Sequence, residues 1–491
     1  MNLAKLISEH LAANDTHQAF EHNGVWFDWP SLRRIAAAIC AALDEAGIGT
    51  GARVGLIARN RPQLVAAMLA LMASRRRAVM IYAFQSPEAL AEDLHNQNLP
   101  AVIGAAEDLG DAVLTGLAGN DTLAIALGSE AGQMPRVVRQ RESQEAVGGE
   151  ETDIAVEMLT SGTTGRPKRL PVQWSTLNAA AADLLGGEPD TRKAVSEPAD
   201  ILPFPIGNIS GLYYLIPAVG TGRRLVLLER FNLDTWVDAL RRHGCQYAAV
   251  PPAAVSMLMD SDIQPGELGR LATLGVGAAP LAPELQEAFE TRFGIPILIG
   301  YGATEFCGVI ANWVPEDHAQ FAKSKRGSVG RARPGISLRI VDPETDQECP
   351  VDTIGVIEAK VPRIGPDFVR TTDLGRLDAD GFLFLHGRAD QMINRGGFKV
   401  DPAKITRILC QHPAVLDAGV VGIRDERLGQ VPVAAVELRA GHSGLGQDEL
   451  LAYLRGHLRS FELPSQLKIV DALPRTPSMK VRLADLPALF A

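Results

Sequence analysis

Short apolar runs alternate with amphipathic helical segments through the first three-quarters of this chain, and that rhythm constrains its fold most. Val54–Ala58 reads as a strand, Gln63–Ala73 as a helix and Ala78–Tyr82 as a strand. Pro87–His95 follows as a helix with proline in its first turn, and Ala101–Ile103 as a strand. The rhythm resumes further on. Arg224–Leu228, Tyr247–Val250, Leu274–Val276 and Pro296–Ile299 read as strands, with Asp234–His243, Ala253–Met259 and Pro283–Phe293 as helices between them. Such alternation predicts parallel sheets covered by helices on both faces. The polar stretch Arg136–Asp153 is expected to be a loop joining two such blocks.

From about Gly327 the pattern changes. Ile336–Val341, Gly355–Val361 and Phe382–His386 read as short strands between Gly, Pro and Asp turns, which predicts a small β subdomain. After Asp390 helices (Ala403–Cys410, Glu449–Leu458) mix with strands (Val415–Val421, Val431–Leu438). A length of 491 residues exceeds what one compact domain usually holds. The expected class is therefore α/β: a large N-terminal domain, 1–389, of two α/β subdomains plus the β subdomain, then a small α+β domain, 390–491.

Hydrophobic residues make up 46% and charged residues 22%, which excludes a disordered or fibrous chain. Acidic residues outnumber basic ones, 58 to 48, for a net charge of −10. That sign argues against nonspecific attraction to nucleic acid or an anionic membrane. The 5 cysteines are scattered with no CxxC pair, so free thiols in a reducing compartment are expected rather than a zinc site or disulfide framework. Lys5, Glu9 and Asp15 interrupt the first twenty residues, unlike a signal peptide, and the longest apolar stretch, Leu64–Ala73, is too short to span a bilayer. A soluble cytoplasmic enzyme without an integral membrane segment is the expectation.

Four stretches carry chemistry. Met158-Leu-Thr-Ser-Gly-Thr-Thr-Gly-Arg-Pro-Lys168 offers the hydroxyls of Thr160, Ser161, Thr163 and Thr164. Gly162 and Gly165 let backbone N–H groups converge on an anion, and Lys168 adds a point charge suited to phosphate. It is not a Walker A loop, which needs Lys directly after the last glycine. On composition alone it could equally be a polar surface turn. Gly300-Tyr-Gly-Ala-Thr-Glu305 follows an expected parallel strand, where α/β folds place ligands. Glu305 there could hold Mg²⁺ and Thr304 could meet a phosphate oxygen, although a lone Glu is more often a surface carboxylate. Gly275-Val-Gly-Ala-Ala-Pro280 faintly echoes a dinucleotide fingerprint but lacks its third glycine. Arg370-Thr-Thr-Asp373 is followed by Gly387-Arg-Ala-Asp390 and Arg395-Gly-Gly-Phe-Lys399; an Asp at such a turn is an ordinary structural residue and also the usual partner of ribose hydroxyls. Pro474-Arg-Thr-Pro-Ser-Met-Lys480 is a Pro-punctuated loop in which Lys480, taken alone, is an ordinary surface lysine.

In this order and spacing the four stretches resemble the adenylate-forming superfamily: acyl-CoA synthetases, luciferases and nonribosomal peptide adenylation domains. The resemblance runs from Phe20 over nearly the whole chain and is strongest to a bacterial-type carboxylate–CoA ligase. It implies ATP and Mg²⁺ as cofactors and coenzyme A as co-substrate. It also implies an acid–thiol ligase that forms an acyl-adenylate, releases pyrophosphate and then passes the acyl group to CoA. Under the resemblance Thr160–Lys168 cradles the β- and γ-phosphates, Thr304 contacts the α-phosphate and Glu305 holds Mg²⁺. Gly277, Ala278, Ala279, Pro280, Tyr301 and the adjoining Gly302 form the adenine side. Asp373 takes the ribose hydroxyls, Arg388 assists, and Lys480 bridges carboxylate and α-phosphate. Asp390 matches the hinge about which the C-terminal domain swings, bringing the Arg395–Lys399 face toward the site. A homodimer is left open.

Some positions depart from the family pattern. Thr372 stands where a glycine precedes the ribose-binding Asp, and Met479 where a glycine precedes the catalytic Lys. Lys404 and Thr406 stand where acidic residues often follow the hinge. Apart from Phe204, the Pro203–Gly211 stretch lacks the His or aromatic that often closes the acyl pocket. That pocket is expected from Phe204, Ile206, Asn208, Ile209 and Leu212, with Ala303, Val309 and Ile310 from the second stretch. These segments contain no Asp, Lys or Arg, which favours an uncharged hydrophobic or aromatic acid over an amino acid. Two alternatives stay open: delivery of the acyl group to a carrier protein or amine, and a nucleotide-binding relative with impaired catalysis.

Overall fold

The computed structural model describes residues 2–12, 17–130, 132–143, 145–160, 168–185, 198–442, 444–476 and 479–490. The first α/β block forms a seven-stranded sheet in the order Arg136–Arg139, Leu123–Leu127, Ala101–Ala105, Arg53–Ala58, Arg77–Tyr82, Ile154–Thr160, Lys168–Gln173. Its inner strands run parallel and the two outermost run antiparallel to their neighbours. The helix Pro62–Ala73 is apolar on every side, and all residues from Pro62 to Met72 are buried. A helix without a polar face must be covered all round. It packs on the helix Trp29–Glu45, which is not among the elements expected from sequence although its start is marked. Asp28 accepts from the Ser31 N–H at 2.8 Å and proline occupies the first turn.

The stretch Arg136–Asp153 is not all loop. Arg136–Arg139 adds an edge strand, and the Arg139 guanidinium donates to the carbonyls of Asn120 and Thr122 at 3.0 and 3.2 Å. An exposed edge tolerates charged side chains, so its polarity concealed the strand.

The second block and the β-rich stretch share one nine-stranded sheet. Tyr247–Val250, Thr273–Val276 and Ile297–Ala303 are parallel, and the chain then turns antiparallel through Gly308–Asn312 and Ser328–Ala332. Phe382–Arg388, Phe368–Leu377, Gly355–Lys360 and Ser337–Val341 complete it. A four-stranded sheet pairs the N-terminal hairpin Gln18–Asp28 with Leu225–Leu227 and Asp200–Leu202.

The C-terminal sheet is separate and has its own core. Val415–Asp425 and Gly429–Leu438 pair along their length, with Gln466–Val470 parallel to the latter. The core of the nine-stranded region ends at Leu383, and that of the C-terminal sheet begins at Ile393. The short connection between them holds Arg388 and Asp390. Contacts from the C-terminal part back to the larger one include Gln411 Nε2 donating to Glu284 at 2.8 Å and an ion pair of Arg439 with Asp260. The architecture is that of an α/β protein with a large N-terminal and a small C-terminal domain. No helix among the described residues is long and apolar enough to cross a membrane.

Candidate active site

The strand Ile297–Ala303 ends in a one-turn 3-10 helix, Thr304–Phe306, which leaves Glu305 exposed and buries Phe306. Tyr301, 7% exposed, donates its hydroxyl to Asp373 Oδ2 at 2.6 Å. Burial, and then the Asp373 carboxylate, raise the Tyr301 pKa well above the usual phenol range, so it stays a donor. The Asp373 N–H donates to Thr371 Oγ1 at 3.0 Å, and the Thr371 hydroxyl donates to the Ile357 carbonyl at 2.9 Å.

Arg388 closes the other side. Its Nε lies 3.9 Å from Asp373 Oδ1, while Nε and Nη2 each reach an oxygen of Asp390 at 3.1 Å. Burial alone would lower the Arg388 pKa, but Asp390, Asp373 and Glu305 together reverse the sign and raise it. The hydroxyl of Thr372 also accepts from Arg388 Nη2. The family's glycine could not supply that bond, so the departure at Thr372 adds a contact.

Lys480 comes from the C-terminal domain into this cluster. It keeps contact with solvent, yet the protein around its ammonium lowers its pKa. Arg388 adds to the effect and Asp373 opposes it. Met479 precedes it at φ 63°, the left-handed backbone that glycine would adopt at no steric penalty. Met479 therefore adopts the backbone that the family's glycine would allow. Tyr301, Glu305, Asp373, Arg388, Asp390 and Lys480 therefore interact in one place.

The other expected residues lie as follows. After the strand Thr273–Val276, Gly277–Pro280 forms a turn with Ala278 at φ 71°, and a Cβ on Gly277 would stand 3.3 Å from the Gly300 carbonyl. Thr160 and Lys168 are register partners at the ends of two antiparallel strands. Ser161, Gly162, Thr163, Thr164 and Gly165 lie outside the described residues. Phe204, Ile206, Leu212 and Ile310 are at most 3% exposed and packed in the core. Asn208, Ile209, Ala303 and Val309 are only partly buried.

Several residues around the expected acyl segments were not foreseeable from them. Arg333 donates to the Tyr213 hydroxyl at 2.6 Å, and Arg363 donates to the carbonyls of Phe306 and Val309 at 2.7 and 3.1 Å. Gly308 has no side chain because the Tyr213 ring would lie 2.3 Å from its Cβ, and Gly275 is crowded likewise by the Tyr247 hydroxyl. Both arginines arrive from strands or loops distant in sequence, so no local motif announces them.

Residues 7–365 match the family described as AMP-binding enzyme, and residues 404–480 that of the AMP-binding enzyme C-terminal domain. The chain belongs to the AMP-binding enzyme family. It is 33% identical to 2-succinylbenzoate–CoA ligase of Bacillus pumilus (strain SAFR-032), over 67% of each protein. It is 29% identical to 4-coumarate–CoA ligase-like 5 of Oryza sativa subsp. japonica over 71% of this chain, and that alignment spans 64% of the relative. The crystal structure of ATP-bound MatB from Rhodopseudomonas palustris superposes with a TM-score of 0.78 at 23% identity, covering 100% of this chain and 99% of that one. At that identity the likeness is one of fold.

Proposed function

We propose that the protein is an AMP-forming carboxylate–CoA ligase that activates a hydrophobic or aromatic acid. The observation that carries this reading is the seating of Met479, next to Lys480, on the core of the larger domain, which brings the Lys480 ammonium within electrostatic reach of Asp373 and Arg388. The two relatives named for ligation of aromatic acids to CoA support it.

Asp373, held by Tyr301 and Thr371, would accept hydrogen bonds from the ribose hydroxyls of ATP, and Gly277–Pro280 with Tyr301 would line the adenine. Arg388, Thr304 and the Thr160–Lys168 loop would meet phosphate oxygens. Glu305 would hold Mg²⁺. Its exposed carboxylate, close enough to influence Tyr301 and Arg388, suits a hard cation that takes one carboxylate and completes its shell with phosphates and water. Among the described residues no cluster of three acidic, His or Cys groups offers a cage, so such an ion would depend on the nucleotide. Bound there, it would neutralise phosphate charge.

Lys480 would then offset the charge that develops as the carboxylate oxygen attacks the α-phosphorus and pyrophosphate leaves. Rotation of residues 390–491 about Asp390 would withdraw Lys480 and bring the Arg395–Lys399 face to the adenylate for attack by the CoA thiol, with AMP as leaving group. The five free cysteines fit action in the reducing cytoplasm.

The test is incubation with ATP, Mg²⁺, CoA and a panel of acids, following pyrophosphate, AMP and thioester. Acid-dependent pyrophosphate together with thioester is expected. Acid-independent formation of ADP would overturn the reading, and adenylate without thioester would remove CoA as acceptor.

A further inference from the structure

The loop that carries Lys480 is bolted to one domain and seated on the other. At its root Arg475 and Val481 form an antiparallel bridge, and the Arg475 guanidinium binds Asp417 at 2.8 Å and Glu437 at 3.0 Å. Those carboxylates belong to the two long strands of the C-terminal sheet. At its tip Thr476 N–H donates to the Lys480 carbonyl at 2.8 Å, and Met479 N–H to the Thr476 carbonyl at 2.9 Å. Arg475 also donates to the Met479 carbonyl at 3.2 Å. This network holds Met479 at φ 63°, a conformation unfavourable for any residue with a Cβ. Something must offset that penalty. The Met479 side chain packs against the hydrophobic core cluster whose buried members run from Ala199 to Leu383, all on the far side of the Arg388–Asp390 connection.

We propose that Met479 is a positioning residue for the adenylation step: its left-handed backbone aims Lys480 into the cleft, and its side chain, seated on the larger domain, holds the loop there. The inference rests on the reading of Lys480 as the adenylation lysine. A glycine at 479 would permit the same backbone without the seat. Methionine's unbranched thioether adapts to an irregular apolar surface, which suits a contact that forms and breaks with domain rotation. The seat therefore favours the adenylating arrangement over the thioester-forming one.

The experiment compares full-length wild type with Met479→Gly, Met479→Ala and Met479→Leu. Acid-dependent ATP–pyrophosphate exchange, thioester formation from a prepared acyl-adenylate, and hydrogen exchange of the 475–483 segment are measured on each. Met479→Gly and Met479→Ala should lose on the order of tenfold in exchange kcat with little change in the KM for ATP. They should also lose amide protection in 475–483 while keeping thioester formation. Met479→Leu should restore both exchange and protection to within about threefold, because its volume is similar. Wild-type exchange and protection in Met479→Gly would overturn the proposal, as would equal loss of both half-reactions in all three variants. If wild type shows no acid-dependent exchange, the ligase reading fails. Hydrogen exchange still decides whether the side chain seats the loop.

Discussion

The Tyr301 hydroxyl donates to Asp373 Oδ2 at 2.6 Å, although three strands separate their own strands in the nine-stranded sheet. The sheet is therefore curled enough to bring its Ile297–Ala303 and Phe368–Leu377 strands together at the cleft. This bond fixes the carboxylate from one side and leaves Oδ1 toward Arg388. Replacing Asp373 by Ala removes charge-assisted bonds to the ribose worth about 1.5–3 kcal/mol each. The KM for ATP should rise about ten- to hundredfold. Tyr301→Phe keeps the carboxylate but frees it to rotate, and should raise that KM only about three- to tenfold. A thermal melt beside each ATP titration separates binding from stability. Loss of stability with unchanged KM would leave Asp373 a purely structural role in its strand.

Lys480→Ala deletes the ammonium that approaches Arg388 and Asp373. Acid-dependent pyrophosphate release should fall by about 10²–10³, the scale of losing a preorganised charge at a developing anion. Thioester formation from a supplied acyl-adenylate should survive. Single-turnover assays of the two half-reactions on one preparation decide it, and equal loss in both would end the domain-alternation account.

Much of this was legible in the sequence because the relevant signals are local. The strand–helix rhythm located the parallel strands that lead to the cleft, such as Pro296–Ile299, although that strand runs on through Gly300 and Gly302 to Ala303. Asp373, Glu305 and Lys480 stood out because their neighbours in sequence belong to recurrent patterns. What stayed hidden arises from contacts between distant segments. Arg363 reaches the Phe306 and Val309 carbonyls across more than fifty residues, and Arg333 reaches Tyr213 across more than a hundred. Nor does a sequence window reveal that Phe204 and Ile206 are packed core while Ile209 is partly open. The strand Arg136–Arg139 escaped notice because its polarity is that of an edge.

Asp390, the proposed pivot, also holds Arg388 through two bonds at 3.1 Å from its carboxylate. Asp390→Pro would both restrict φ and release Arg388, so its effect needs a reference. Asp390→Asn keeps the backbone free and weakens the same contacts. Both variants should slow adenylation alike, by about three- to tenfold, and only Asp390→Pro should abolish thioester formation from preformed adenylate. Full ligation by the proline variant would refute the hinge.

With Lys480 as the proposed adenylation lysine, its lowered pKa is expected to set the alkaline side of the pH profile. The ammonium is needed charged, so adenylation at saturating ATP should decline at a lower pH than an ordinary lysine would give. The protein packed around the ammonium is the main cause of the shift, Arg388 adds to it and Asp373 opposes it. Arg388→Gln removes a positive neighbour, raises the Lys480 pKa and should move the decline to higher pH. Asp373→Asn should move it to lower pH. Displacements of the same sign in both variants would show that Lys480 does not govern that limb.

The acid itself is the last matter to predict. Asn208, Ile209, Ala303 and Val309 are partly open, whereas Phe204, Ile206 and Leu212 belong to the core of the first block and Ile310 to that of the nine-stranded sheet. Apolar surface removed from water there gains roughly 25 cal/mol per Å². An acid with a hydrophobic body should therefore outperform acetate in kcat/KM, and phenylalanine should be rejected because its ammonium would be desolvated without a partner. Gly308→Ala tests the location. Its new Cβ would lie 2.3 Å from the Tyr213 ring, so the ring must move. If Tyr213 bounds the acyl site, the order of preference along a series from acetate through octanoate to cinnamate should change while the KM for ATP holds. An unchanged order, with only stability lost, would place the acyl group elsewhere and leave the adenylation chemistry standing.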